Sequence, residues 1–193
     1  MPIIEQNAIT HGTSGMLNNQ VVLRQRAGRT ILAYRPAKST KPPTEKQLAR
    51  RKAFKEAINY AKGAMNNEML RAKYEARETA FVSAYNLAVR DYLKKPEIKA
   101  VLQDDYNAKA GSRLLIVAVD DMEIARVEVK LHNGAGITFE QGEATMAADK
   151  PVYEYVLQST MPAGESVVAT VAAMDMPGNR TENETVILNA TGI

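Results

Sequence analysis

Asp120, Asp121 and Glu123 crowd the end of one apolar run, and Asp175 ends another at the turn Asp-Met-Pro-Gly-Asn. Carboxylates are hard oxygen donors, and the loops of a β-sandwich can gather them around calcium. The spacing is not that of an EF-hand loop, which needs Asp or Asn at alternate positions and a Gly at the sharp turn. Aspartate also favours turns for a conformational reason alone, because its side chain bonds the nearby backbone. The first reading is therefore ordinary turn acids, with no metal ligand and no cofactor assigned. Calcium binding by the acidic loops stays open.

A second set of residues suits phosphate. Arg24, Arg26, Arg29, Arg35, Lys38 and Lys41 precede Arg50, Arg51, Lys52 and Lys55. Clustered cations neutralise phosphates and make binding salt-dependent. They serve equally as contacts to an acidic neighbour or as a solvated face, and Glu56, Glu68, Glu75 and Glu78 interrupt the run. Arg24, Arg26, Arg29, Arg35, Arg50, Arg51 and Lys52 are taken as the candidate assembly or polyanion contacts.

Nothing comparable points to catalysis. There is no cysteine, and the two histidines, His11 and His132, have no nucleophile or carboxylate at informative spacing. No serine sits in a Gly-x-Ser-x-Gly elbow, and Gly12, Gly15, Gly28 and Gly63 do not form a phosphate loop. The expectation is a protein that is not an enzyme. Asn179-Arg-Thr, Asn183-Glu-Thr and Asn189-Ala-Thr fit the glycosylation acceptor pattern and are read as chance in a Thr-rich segment.

Charge divides the chain. Residues 1–110 hold twenty Lys and Arg against ten Asp and Glu, a net +10, and residues 111–193 hold five against twelve, a net −7. This suggests two modules, with a polyanion partner for the first or a second copy of the chain for both. The apolar content of 45% is that of a globular protein. No run approaches the roughly 18–20 apolar residues of a membrane span, so no membrane insertion is expected. The start MPIIEQNAITHG has neither the basic nor the long apolar segment of a secretory leader. The expectation is synthesis in the cytoplasm, with any place in a virion or extracellular assembly reached by another route.

The elements that would position these residues follow from periodicity. QVVLRQRAGRTILAYR reads as a hairpin about Ala27-Gly28, closed by Pro36, and PAKSTKPP as a semi-rigid linker. Thr44 and Gln47 have capping-box spacing at the start of a helix carrying Leu48, Phe54, Ile58, Ala61 and Met65. A second helix is expected over 67–95, ended by Pro96, so that the pair forms a helical hairpin. Residues 96–112 read as a connector. The period then changes to two, with strands expected over 113–119, 124–132, 137–143, 152–158, 166–174 and 184–189. Core candidates are Leu115, Val117, Val127, Val129, Leu131, Tyr153, Tyr155, Val167, Ala169 and Val171.

Two resemblances add to this. The strand SVVATVAAMD with the turn Met176-Pro177-Gly178-Asn179-Arg180-Thr181 resembles bacterial immunoglobulin-like modules, which implies a sandwich for the last eighty residues. The cysteine pair and tryptophan of antibody-type domains are missing. The first half, through Gly12, Gly15, Val21-Val22, Gly28, Arg35-Pro36, Pro43-Thr44-Glu45, Gln47, Arg51, Phe54 and SAYNLAVRDYLKKPEI, is similar to an uncharacterised family of bacterial proteins. That resemblance implies a two-part layout in a phage-like or surface-assembly setting, and no activity.

The sequence thus reads as α+β: an extended arm with a β-hairpin (1–43), a helical hairpin with its connector (44–110) and an immunoglobulin-like antiparallel β-sandwich (111–193). The expected function is structural self-association into a filament, shell or other assembly. Copies would associate as a homo-oligomer, by strand exchange from the arm or by head-to-tail contact of opposite charge. The alternatives are a nucleic-acid-binding protein using the basic half, and an adhesion or partner-binding module using the sandwich.

Overall fold

The fold was taken from a computed structural model, which describes residues 3–4, 10, 12–37, 40–148, 151–162 and 166–187. His11, Lys38 and the Asn189 acceptor site lie outside them. The chain is α+β and divides into two units, Met1–Val89 and Arg90–Ile193. No helix among the described residues is long and apolar enough to cross a membrane.

The first unit opens with strands β1 (Ile3–Ile4), β2 (Gly15–Leu17), β3 (Val21–Arg26) and β4 (Arg29–Tyr34), ordered β1-β4-β3-β2 in one sheet. Strands β3 and β4 pair from Val21 with Tyr34 to Arg26 with Arg29. The two-residue turn between them needs positive φ at both positions, and Ala27 (49°) and Gly28 (75°) supply it. Such a turn matches the twist of the flanking strands. The hairpin is therefore the middle of a four-stranded sheet, not a lone ribbon.

Helix α1 (Glu45–Asn66) starts at the expected capping box: the Thr44 hydroxyl accepts from the Gln47 amide, and the Gln47 side chain accepts from the Thr44 amide. Its buried residues, Ala57, Ala61 and Ala64, recur at the spacing of one helical face. The helix expected over 67–95 is broken in two, α2 (Glu68–Glu75) and α3 (Ala84–Leu93). The cause is local. The Thr79 hydroxyl accepts the amides of Phe81 and Val82, and Ser83 then takes the Asn86 amide at the head of α3. Side chains of this kind draw the backbone away from the helical ladder.

The second unit carries β5 (Glu97–Leu102), β6 (Arg113–Val119), β7 (Ile124–His132), β8 (Thr138–Met146), β9 (Val152–Val156), β10 (Val167–Asp175) and β11 (Arg180–Ile187). Part of the segment read as a connector is thus a strand. All seven strands form one antiparallel sheet, ordered β11-β10-β7-β8-β9-β6-β5. It folds over at β8, whose first part pairs with β7 and whose end, Thr145-Met146, pairs with β9. The Gln103 side-chain amide donates to the Val186 carbonyl across the open edge, which gives a sandwich close to a barrel. The core between the layers includes Leu114, Ile116, Val127, Val129, Leu131, Tyr155, Val167, Ala169 and Val171. In β6 the inward residues are Leu114, Ile116 and Ala118, one position out of step with the expected Leu115 and Val117. The run RLLIVAV is apolar on both faces, so alternation alone cannot choose between them.

Candidate metal centre

Three chain segments end at one corner of the second unit. Asp91 lies in the last turn of α3, Asp120 directly follows β6, and Asp175 closes β10. One carboxylate oxygen from each lies within 4.8 Å of the other two. Asp91 and Asp175 are almost sealed from solvent, at 1% and 2% exposure.

The local sequence explains each placement. Asp91 follows Ala84, Leu87 and Ala88 in phase, so the helix buries it on its apolar face. Strand β10 bulges between Met174 and Asp175, which re-aims Asp175 at the strand end. The turn beyond holds it: the Asn179 backbone amide donates to Oδ1 at 2.6 Å and its side-chain amide to Oδ2 at 2.7 Å. That same amide donates to the carbonyls of Tyr92, at 3.1 Å, and Asp91, at 3.4 Å. Asp120 turns back on its own loop, with Oδ2 accepting the Met122 amide at 2.9 Å. Its other oxygen, Oδ1, is shielded from solvent and has no hydrogen-bond partner among the described residues.

The electrostatics of the corner are negative. Burial raises the Asp175 carboxyl above its ordinary range; the Asn179 hydrogen bonds oppose this, and the Asp120 charge adds to it. The C-terminal end of α3 contributes a partial negative charge of its own. Arg90 and Lys94, the cations of that helix end, both pair with Asp121. Burial also raises the Tyr153 phenol, with Glu123 and Asp120 adding to it. Like charges held this close in a poorly solvated place must be relieved by a cation or a proton.

Of the acids singled out in the sequence, the structure brings Asp120 and Asp175 together. Asp121 is taken by its cation pair, and Glu123 is exposed. Asp91 was not singled out. Its signal was present all the same, as a carboxylate in phase with an apolar helical face.

The cationic candidates fall in the first unit. Arg24, Arg26 and Arg29 share one face of the small sheet, where Arg26 and Arg29 are direct cross-strand partners. Arg26 reaches the Phe81 carbonyl at 3.5 Å, and Arg35 donates to the Asn19 side chain. Arg50, Arg51 and Lys52 are exposed on α1. A groove of about 720 Å³ on the outer face of β8-β7-β10-β11 is lined by Glu128, Lys130, His132, Thr170, Arg180 and others. Several of its polar groups are committed to one another: Arg180 to Glu128 and Glu182, His132 to Thr170.

No protein-family model matches the chain, and no curated protein matches it. Among solved structures it is similar to the crystal structure of CopC from Methylosinus trichosporium OB3b. The two share 16% identity with a TM-score of 0.37, over 51% of this chain and 98% of that one.

Proposed function

We propose that the protein is a non-catalytic structural module whose second unit is an immunoglobulin-like sandwich tied together by a calcium ion at Asp91, Asp120 and Asp175. The observation that carries this is the convergence of three carboxylates, two of them sealed from solvent, from three separate elements. The shielded, unpartnered Oδ1 of Asp120 supports it independently. Calcium takes oxygen ligands at about 2.3–2.6 Å, so two ligands of one ion stand at most about 5.2 Å apart. The separations here, all within 4.8 Å, lie inside that limit. Carbonyls and water would complete the shell. Bound there, the ion would fasten the end of α3 to the ends of β6 and β10.

The strand order supports the immunoglobulin-like part. With the strands lettered A to G in chain order, β5-β6-β9-β8 is A-B-E-D and β7-β10-β11 is C-F-G, the two sheets of the constant-type domain. Titration calorimetry of the chelator-treated full chain tests the metal reading. One calcium site is expected, weakened about tenfold or more in Asp120→Asn, a loss of about 1.4 kcal/mol or more. Absence of binding heat, or equal affinity in the variant, contradicts it.

A second reading, self-association through the first unit, is favoured by one observation. Strand β2 is an edge of the four-stranded sheet, and its Met16 and Leu17 are 57% and 62% exposed. An exposed apolar edge offers unpaired amides and carbonyls with which another copy can pair. Light scattering of the purified chain should give an oligomer that Leu17→Lys reduces to monomer. A monomeric wild type overturns this reading and leaves the calcium reading untouched.

A further inference from the structure

Helix α1 carries six cations, Lys46, Arg50, Arg51, Lys52, Lys55 and Lys62, against two acids, Glu45 and Glu56. All six cations are exposed, and none forms an ion pair with a described residue. They are not scattered evenly. Ala57, Ala61 and Ala64 define the buried side of the helix. On the other side Lys52, Lys55, Asn59 and Lys62 follow one another at spacings of three and four, with Arg51 one turn before Lys55. The row contains no acid, and from Arg51 to Lys62 it runs roughly 16 Å at 1.5 Å per residue.

We infer that this row binds the phosphodiester backbone of a nucleic acid without reading its bases. Cations unpaired among the described residues are open to an external anion, and a nucleic-acid strand offers one phosphate about every 3.4 Å. Lysines act on phosphate as point charges, which fixes position and not sequence.

Two other anionic surfaces fit less well. Several of the carboxylates that a second copy could offer are committed within their own unit. Asp121 is held by Arg90 and Lys94, Glu128 by Arg126 and Arg180, and Glu154 by Arg113. Glu140 is held by hydrogen bonds from Tyr155, Gln158 and Ser159. A lipid surface asks for an apolar face beside the charges. The row offers only Leu48, and the exposed Phe54 lies off it.

The test is fluorescence anisotropy of labelled single-stranded DNA, duplex DNA and RNA of one mixed sequence. The nuclease-treated full chain is titrated in chelator, so that the result is independent of the calcium site. Binding should be indifferent to sequence and fall steeply between about 50 and about 200 mM salt. The variant Arg51→Gln/Lys52→Gln/Lys55→Gln/Lys62→Gln keeps good helix formers, and its fold is checked by circular dichroism and melting. It should bind about tenfold or more weakly at the low-salt end, with a salt slope shallower by about 2 to 4. The single changes Lys55→Gln and Lys62→Gln should each give a smaller loss in the same direction. Absence of binding by the wild type at low salt overturns the inference, as does wild-type affinity in the folded variant. So does a variant that keeps nucleic acid but loses phosphatidylserine vesicles or self-association.

Discussion

Asn179 grips Asp175 at both carboxylate oxygens, backbone amide to Oδ1 at 2.6 Å and side-chain amide to Oδ2 at 2.7 Å. Its side-chain amide also serves the carbonyls of Tyr92 and Asp91. One residue therefore fixes the strand-end carboxylate and caps the last turn of α3 at once. The Asp-Met-Pro-Gly-Asn turn thus holds the corner in shape without an ion.

Asn179→Ala removes that side-chain donor. A hydrogen bond to a charged group contributes about 1.5–3 kcal/mol, so urea unfolding of the full chain should show a loss of about that size. Asn179→Asp loses the same donor and adds a fourth negative charge. It should cost more than alanine in chelator, and calcium should recover part of the difference.

Gly142→Ala probes the other end of the sandwich. A Cβ there would meet Tyr155 at 3.0 Å from the ring and 3.2 Å from the hydroxyl. That hydroxyl donates to Glu140, which also holds the Gln158 and Ser159 amides. Overpacking of this kind costs about 1–3 kcal/mol. The destabilisation should be smaller when Tyr155→Phe is already present, because the bond to Glu140 is then gone.

Two carboxylates give opposite pH signatures in chelator. Asp175, raised first by burial, binds its proton more tightly folded than unfolded. Its contribution is full below its ordinary 3.8 and is lost as pH rises through the folded value. At Glu140 burial works upward, but bonds from Gln158, Ser159 and Tyr155 outweigh it, and the carboxyl lies below its ordinary 4.5. Its contribution is present above that value and lost as pH falls through the folded one. Urea unfolding across the acid range should therefore show the advantage of wild type over Asp175→Asn shrinking as pH rises. The advantage over Glu140→Gln should grow.

Local pattern was legible and long-range geometry was not. Strands β6 and β7 lie over the residues that alternation marks, and Thr44 and Gln47 form their capping box. The inward set of β6 was unreadable because both its faces are apolar. Glu97–Leu102 carries no clear strand signal because EIKAVL is short and mixed, and only pairing with β6 makes it a strand. The break at Thr79 depends on one hydroxyl taking two amides. Of the acidic corner, Asp120 and Asp175 are legible as turn acids, and Asp91 stands in phase with Ala84, Leu87 and Ala88. What brings them together is the bulge before Asp175 and the reach of Asn179 to the α3 carbonyls, which no local spacing encodes.

Calorimetric melting of the full chain in chelator and in saturating calcium addresses the central claim most directly. A ligand at about 100 times its Kd adds about 2.7 kcal/mol to the state that binds it, and each kcal/mol moves Tm by about 2–4 °C in a chain of this size. Calcium should therefore raise the melting of wild type and of Asp121→Asn, whose side chain serves Arg90 and Lys94, and raise that of Asp120→Asn by about half as much or less. Identical wild-type melts in chelator and calcium, or an undiminished shift in Asp120→Asn, would contradict the calcium site.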